Sequence, residues 1–201
     1  MTRILVLTTF IIVSWASSVY AQGSVAVQYS VSFPTGNTGD YISSTSFMGT
    51  TFDYNYRVNP NLSLGFSAGW YTFYESEDYG TYTSEGEVLA ISGKLYKYVN
   101  SSPLLFTVDY HMASSGPVSP FIGLGIGTTY NRRETQIGIF DLESESWQFT
   151  LAPEVGVEIP FSETVGGYVS LRYNNNFESA DLDTQSYLTL NLGLVLGAIE
   201  Y

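Results

Sequence analysis

"SPFIGLGIGTTYN", residues Ser119–Asn131, sets Gly123, Gly125 and Gly127 at alternate positions, with Ile122, Leu124, Ile126, Thr128 and Tyr130 filling the places between. A two-residue period is that of a β-strand. Glycine weakens a strand unless another group approaches closely or the strand must bend. The stretch therefore reads as a strand with one large apolar face and one face stripped of side chains. What lies against each face decides the fold.

The same period recurs along the chain, in Ser24–Phe33, Met48–Val58, Leu62–Phe73, Leu104–Met112, Trp147–Ile159, Val165–Asn174 and Leu188–Leu196. With the glycine stretch these make eight strands, and no segment reads as a helix. A further alternating stretch, Val88–Val99, is either a hairpin within a loop or an upward extension of the fourth strand. Connections alternate in length. Asn59–Asn61, Ala113–Pro120 and Pro160–Thr164 are short, whereas Pro34–Thr45, Glu75 to about Asn100, Asn131–Ser146 and Asn175–Ser186 read as long polar loops.

The polar faces are rich in Ser, Thr, Gly and Asn and poor in Lys and Glu, unlike a strand surface bathed in water. Charged residues are only 13% of the 201, and aromatic residues reach 16%. Asp53, Arg57, Asp109, Glu154, Glu158 and Arg172 all take the polar parity. A soluble barrel with its apolar faces inward would have to enclose eight rows of large side chains, and eight strands leave room for only modest ones. Inverted, with apolar residues in lipid and polar residues within, the pattern is that of an eight-stranded antiparallel up-and-down transmembrane β-barrel. Trp70, Tyr74, Tyr110, Tyr130, Trp147 and Tyr173 then lie near strand ends as interfacial girdles. Gly49, Gly65, Gly69, Gly156, Gly166 and Gly193 share the inward parity of the glycine stretch. Inward Tyr71, Phe73, Phe121 and Tyr168 are expected to lie over such gaps.

The N-terminal residues fit this setting. Arg3, the apolar run Ile4–Trp15 and "VYA" at Val19–Ala21 read as a cleaved signal peptide over residues 1–21, with the barrel occupying 22–201. The run of twelve apolar residues is too short to span a bilayer as a helix. There is no cysteine, which excludes disulfides, thiolate metal sites, thiol nucleophiles and a lipidated-cysteine anchor. A formal net charge of −12 argues against nucleic acid as a partner.

"YSVSFPTGNTGDYI", "YRVNPNLSLGFSAGW" and "SPFIGLGIGTTY" resemble the small outer-membrane β-barrel proteins of Gram-negative bacteria, the OmpA/OmpX-like and OmpW-like eight-stranded barrels and their barrel-only relatives. The resemblance covers the whole stretch from Gln22 to Tyr201. It implies residence in the outer membrane as a monomer, among phospholipid and lipopolysaccharide, after insertion by the barrel-assembly machinery. It also implies that the terminal aromatic, Tyr201, serves as the assembly signal. Tyr201 has odd parity, however, while the outward leucines Leu188–Leu196 are even, so a bulge near Gly197 is required.

Little in the chain points to chemistry. His111 is the only histidine, and no spacing around it matches a Ser–His–acid set, so it is expected as a hydrogen-bonded interior group. Asp53, Arg57, Asp109, His111, Glu154, Glu158 and Arg172 are expected to form an interior polar network that plugs the barrel. Tyr74–Glu87 collects acids and tyrosines in what reads as a solvated outer loop, and such surfaces can also bind a ligand. No phosphate loop, zinc spacing or dinucleotide fingerprint is present. No catalytic residue, metal or cofactor is therefore expected. The sequence supports a structural or surface-interaction role. A narrow passive channel for small or hydrophobic solutes and a soluble secreted ligand-binding barrel are the alternatives.

Overall fold

A computed structural model of the chain describes residues 23–83, 90–112, 118–138 and 140–197, with backbone alone at 81–83, 90 and 91. The signal-peptide reading of residues 1–21 and the terminal Tyr201 lie outside the described residues.

Eight strands follow one another in chain order: β1 (Gly23–Thr35), β2 (Ser46–Asn59), β3 (Leu62–Thr83), β4 (Ala90–His111), β5 (Ser119–Ile137), β6 (Phe140–Pro160), β7 (Val165–Asn176) and β8 (Gln185–Gly197). Each pairs antiparallel with the next, and β8 pairs with β1, closing the barrel. Closure leaves no sheet edge in the belt, as hydrocarbon requires of any spanning backbone. One short helix, α1 (Gly36–Tyr41), lies between β1 and β2.

The faces divide as the alternation demands. Val27, Phe66, Phe106, Ile126, Phe149 and Leu192 all point outward and are exposed. Gln28, Asp53, Ser67, Thr107, Thr150 and Asn191 point inward and are buried. In water the outer wall would be an apolar surface far larger than any soluble monomer displays. In lipid it is the favourable one.

The inward glycines make room for rings. A Cβ on Gly69 would stand 2.8 Å from the Tyr71 hydroxyl and 2.9 Å from its Cζ, and one on Gly156 would stand 2.6 Å from Phe121 Cζ. Phe121 and Gly156 are direct cross-strand partners. In the opening stretch, a Cβ on Gly125 would meet Leu105 and Ala152, and one on Gly123 would run into the Asp109 carboxylate.

Three expectations need correction. The segment Glu75–Asn100 is not a loop: β3 runs to Thr83 and β4 starts at Ala90, so the Val88–Val99 stretch, within the described residues, is an upward extension of β4. Asn131–Ser146 is likewise strand, with β5 reaching Ile137 and β6 starting at Phe140. Both segments keep the two-residue period in polar residues, and cross-strand ion pairs hold them, Lys97 to Glu77 at 2.6 Å and Arg132 to Glu143 at 2.5 Å. Finally, Pro34–Thr45 contains α1, which the positive φ of Gly36 (52°) lets the chain enter after β1. β3 to β6 thus have 19–22 residues each, against 12–14 for the other four. Four adjacent strands project beyond the belt by roughly 25–30 Å of chain.

Gly69→Ala is expected to destabilise the barrel by about 1–3 kcal/mol through overpacking against Tyr71. In a Tyr71→Leu background the same change should be nearly neutral. Urea unfolding in lipid vesicles, read as a double-mutant cycle, checks this; equal costs in both backgrounds would contradict it.

Candidate functional site: the barrel interior and its mouth

The interior is layered. At the end where the short turns and both described termini lie, Ala26, Phe121, Tyr168 and Val195 form a small apolar cluster. His111 stacks at 5.7 Å from the Phe121 ring. Its Nε2 is 3.1 Å from Ser63 Oγ and its Nδ1 3.4 Å from Ser119 Oγ. In a Ser–His–acid triad a carboxylate would stand on that second nitrogen. Here a serine hydroxyl stands there, and the whole group is buried. Nearby, Arg57 Nη2 donates to Glu158 Oε2 at 3.3 Å.

Above this level Arg172 reaches across the barrel from β7. Its Nε donates to Glu154 Oε2 at 2.8 Å on the adjoining β6, and its Nη1 to Ser67 Oγ at 2.6 Å on the opposite wall. Its Nη2 lies 2.7 Å from Glu154 Oε2 and 3.3 Å from Asp53 Oδ2. Gln28 Nε2 donates to Asp53 Oδ2 at 2.5 Å, and the Tyr168 hydroxyl to Glu154 Oε1 at 3.2 Å. Arg172, Asp53 and Glu154 are all buried. Charges so far from water survive only when paired and hydrogen-bonded, and these are. Asp109, also buried, lines the same region.

Of the seven interior residues expected from the sequence, the structure joins Asp53, Glu154 and Arg172 in one cluster. Arg57 and Glu158 form a separate pair, and His111 bonds to serines. Gln28, Ser67 and Tyr168 complete the central cluster. Their inward parity was legible, but nothing along the chain shows that Arg172 ends at Ser67, since 105 positions separate them.

Higher still the lumen is filled by hydroxyls and amides. Ser101 Oγ donates to Asn131 Oδ1 at 2.6 Å, Asn131 Nδ2 to Gln148 Oε1 at 2.7 Å, and Thr150 Oγ1 to Asn176 Oδ1 at 2.9 Å. Beyond them Ile42, Tyr71, Phe73, Val99 and Tyr187 form a second buried apolar cluster, with Tyr187 edge-on to both Tyr71 and Phe73 at 5.4 Å.

α1 and the residues after it are tied over this layer. The Tyr41 hydroxyl donates to the Glu134 carbonyl at 3.0 Å and also meets Thr135 Oγ1, while the Arg133 guanidinium lies 4.3 Å above its ring. Glu75, above the belt, accepts at one oxygen from the backbone N–H of Ser43 (2.7 Å) and Ser44 (3.0 Å) and from both hydroxyls. Burial alone would raise the Glu75 carboxyl, but these four donations outweigh it and hold it below the ordinary glutamate range. The contact is therefore complete at pH values above that range and is lost as pH falls through the depressed value.

The family described as "Outer membrane protein beta-barrel domain" matches residues 4–196. The chain belongs to this outer-membrane β-barrel family. Among solved structures, Neisserial surface protein A (NspA) superposes with a TM-score of 0.57 at 19% identity, over 87% of this chain and 96% of that one. Ail, the attachment invasion locus protein of Yersinia pestis, solved with the heparin analogue sucrose octasulfate, gives 0.51 at 15% identity, over 87% and 98%. These likenesses are of fold. No curated protein matches the sequence.

Among the described residues, no three His, Cys, Asp or Glu side chains are grouped to hold a metal ion. Gly197 takes a φ of 131° and still pairs in register with Ser24, and residues 198–201, with Tyr201, lie outside the described part.

Arg172→Met should cost about 3–5 kcal/mol, because Asp53 and Glu154 stay buried without their cation. Adding Asp53→Asn and Glu154→Gln should restore most of that loss. Urea midpoints in vesicles read both; a wild-type midpoint for Arg172→Met would refute the anchoring role.

Proposed function

We propose that the protein is a closed, monomeric outer-membrane scaffold that carries no reaction and no solute current, and that presents its four-stranded extracellular sheet for contact with other molecules. The observation that supports this reading is the reach of Arg172 from Glu154 on β6 to Ser67 on the opposite wall, with the buried Ile42–Tyr71–Phe73–Val99–Tyr187 layer beyond it. A path for solute would have to break the Arg172 cluster and lift α1 together. The alternative channel reading would need a polar lumen open at one level at least.

The projecting sheet supports the second half of the proposal. A barrel needs strands only as long as the apolar belt, roughly 9–11 residues. β3 to β6 continue well past it, with their own ion pairs. Between residues 75 and 147 the described part of this sheet carries Glu75, Glu77, Asp78, Glu134, Asp141, Glu143 and Glu145 against Lys94, Lys97, Arg132 and Arg133. The Ail structure holds a polyanionic sugar. An acidic sheet suits the opposite charge.

The purified barrel in planar bilayers is expected to give no steady current at moderate voltage. A stable ohmic conductance that Arg172→Met alters in size or ion selectivity would overturn the closed-scaffold reading.

A further inference from the structure

The glycine stretch of β5 leaves a gap on the inner wall, and oxygens are gathered around it. Two adjacent inward rows cross β2 to β5. One runs through Asn55, Gly65, Thr107 and Gly125; the next, toward the short turns, runs through Arg57, Ser63, Asp109 and Gly123. Gly65, Gly123 and Gly125 put no side chain on this part of the wall. A Cβ on Gly65 would run into Asn55 Oδ1 and stand 2.8 Å from Thr107 Oγ1, and one on Gly123 would run into the Asp109 carboxylate. The amide oxygen, the hydroxyl and the carboxylate therefore lie over glycines, in space that a larger residue would take.

The protein does not satisfy these oxygens. Asn55 Oδ1 and Thr107 Oγ1 are buried and have no hydrogen-bond partner among the described residues. Thr107 is 3% exposed and Asp109 5%. Asp109 takes part in no ion pair among the described residues: Arg172 is committed to Glu154, Asp53 and Ser67, and Arg57 is bound to Glu158. Glu154 pairs with Gly123 from the other side, so a second carboxylate stands across the same gap. His111, two residues from Asp109, is bonded to Ser63 and Ser119 and stays outside the set. In this part of the lumen Asp53, Asp109, Glu154 and Glu158 thus face only Arg57 and Arg172, and two negative charges are left unanswered. A carboxylate so far from water must be neutralised.

We propose that this recess binds a calcium ion, with the Asp109 carboxylate, Thr107 Oγ1 and Asn55 Oδ1 as its protein ligands and water completing the coordination. Calcium is a hard cation that takes carboxylate, amide and water oxygens together in a flexible geometry. Its two charges equal the deficit that the arginines leave. The set holds no imidazole and no thiolate, the ligands that select zinc or copper. One charged ligand places the site in the weak class, with a Kd of about 10⁻⁴–10⁻³ M. The ion ties β2 to β4 across Gly65, as Arg172 ties β7 to β3. The inference is independent of the surface-contact reading.

The test folds the full chain from urea into phosphatidylcholine vesicles in chelator-treated buffer, with calcium chloride added, or with sodium or choline chloride at matched ionic strength. Urea unfolding is expected to show a saturable rise in the folding equilibrium constant with calcium, about tenfold when the ion is at about ten times its Kd. Asp109→Asn should remove that rise and leave the calcium-free midpoint at or above the wild-type one, because it removes an unanswered charge. Thr107→Val should weaken calcium at least about tenfold. Glu163→Gln, in the turn between β6 and β7, should leave the rise unchanged. A wild-type barrel indifferent to calcium would overturn the proposal. So would a rise matched by sodium or choline, or one that survives Asp109→Asn and so belongs to the exposed acids. An infrared C=O band of a protonated carboxyl in the calcium-loaded wild type, lost in Asp109→Asn, would also overturn it, since Asp109 would then hold a proton in place of the ion.

Discussion

Backbone amides and carbonyls cannot be left unpaired in hydrocarbon, where each would cost several kcal/mol on the order set by transfer to an apolar medium. A β-chain meets that constraint in one way, by pairing its last strand with its first. The β8–β1 ladder, from Ser24↔Gly197 to Thr35↔Ser186, is what makes the rest of this molecule possible. It sorts every side chain in the belt to lipid or lumen. Above the belt water can satisfy the backbone, and there the molecule stops closing: β3 to β6 continue as a sheet with an open margin at β6.

Closure on eight strands creates a second constraint, a narrow interior that must be filled without voids. Inward glycines on β3, β5 and β6 make space, and rings and long side chains enter it: Tyr71 over Gly69, Phe121 over Gly156, Arg172 across to Ser67. The polar filling is consistent with its setting. With the outer wall in lipid, hydrophobic burial contributes less to the folded state than it does in a soluble core. Closely spaced hydrogen bonds and one cation between two carboxylates organise the centre instead. Such a cluster is tolerant of joint replacement and intolerant of losing one partner. The same filling argues for a scaffold rather than a conduit.

The two-residue period carried most of the architecture. Eight strands, their facing, the inward charges and two of the four rings expected over glycines, Tyr71 and Phe121, could be read along the chain, because each depends on parity, a local property; Phe73 and Tyr168 pack on other rings instead. Three features could not. The strands beyond the belt are not marked as such in the sequence, apart from the alternating Val88–Val99, because Glu, Lys and Tyr there lack a continuous apolar face; their order comes from cross-strand pairs such as Lys97–Glu77, which are set by register. α1 is six residues long and offers no amphipathic pattern. The central cluster depends on which of several inward polar residues reach across the lumen, and Gln28 and Ser67 are indistinguishable in sequence from their inward neighbours.

The account stands or falls on which face of the wall meets lipid. Because the chain has no cysteine, single cysteines carrying spin labels report one position each. Labels placed at Phe66 and Leu192 in vesicle-embedded protein should be relaxed strongly by oxygen and weakly by a water-soluble nickel chelate, and a label at Tyr79 on the projecting sheet should show the reverse. Strong chelate relaxation at Phe66 and Leu192, or protection there from both reagents, would contradict the account.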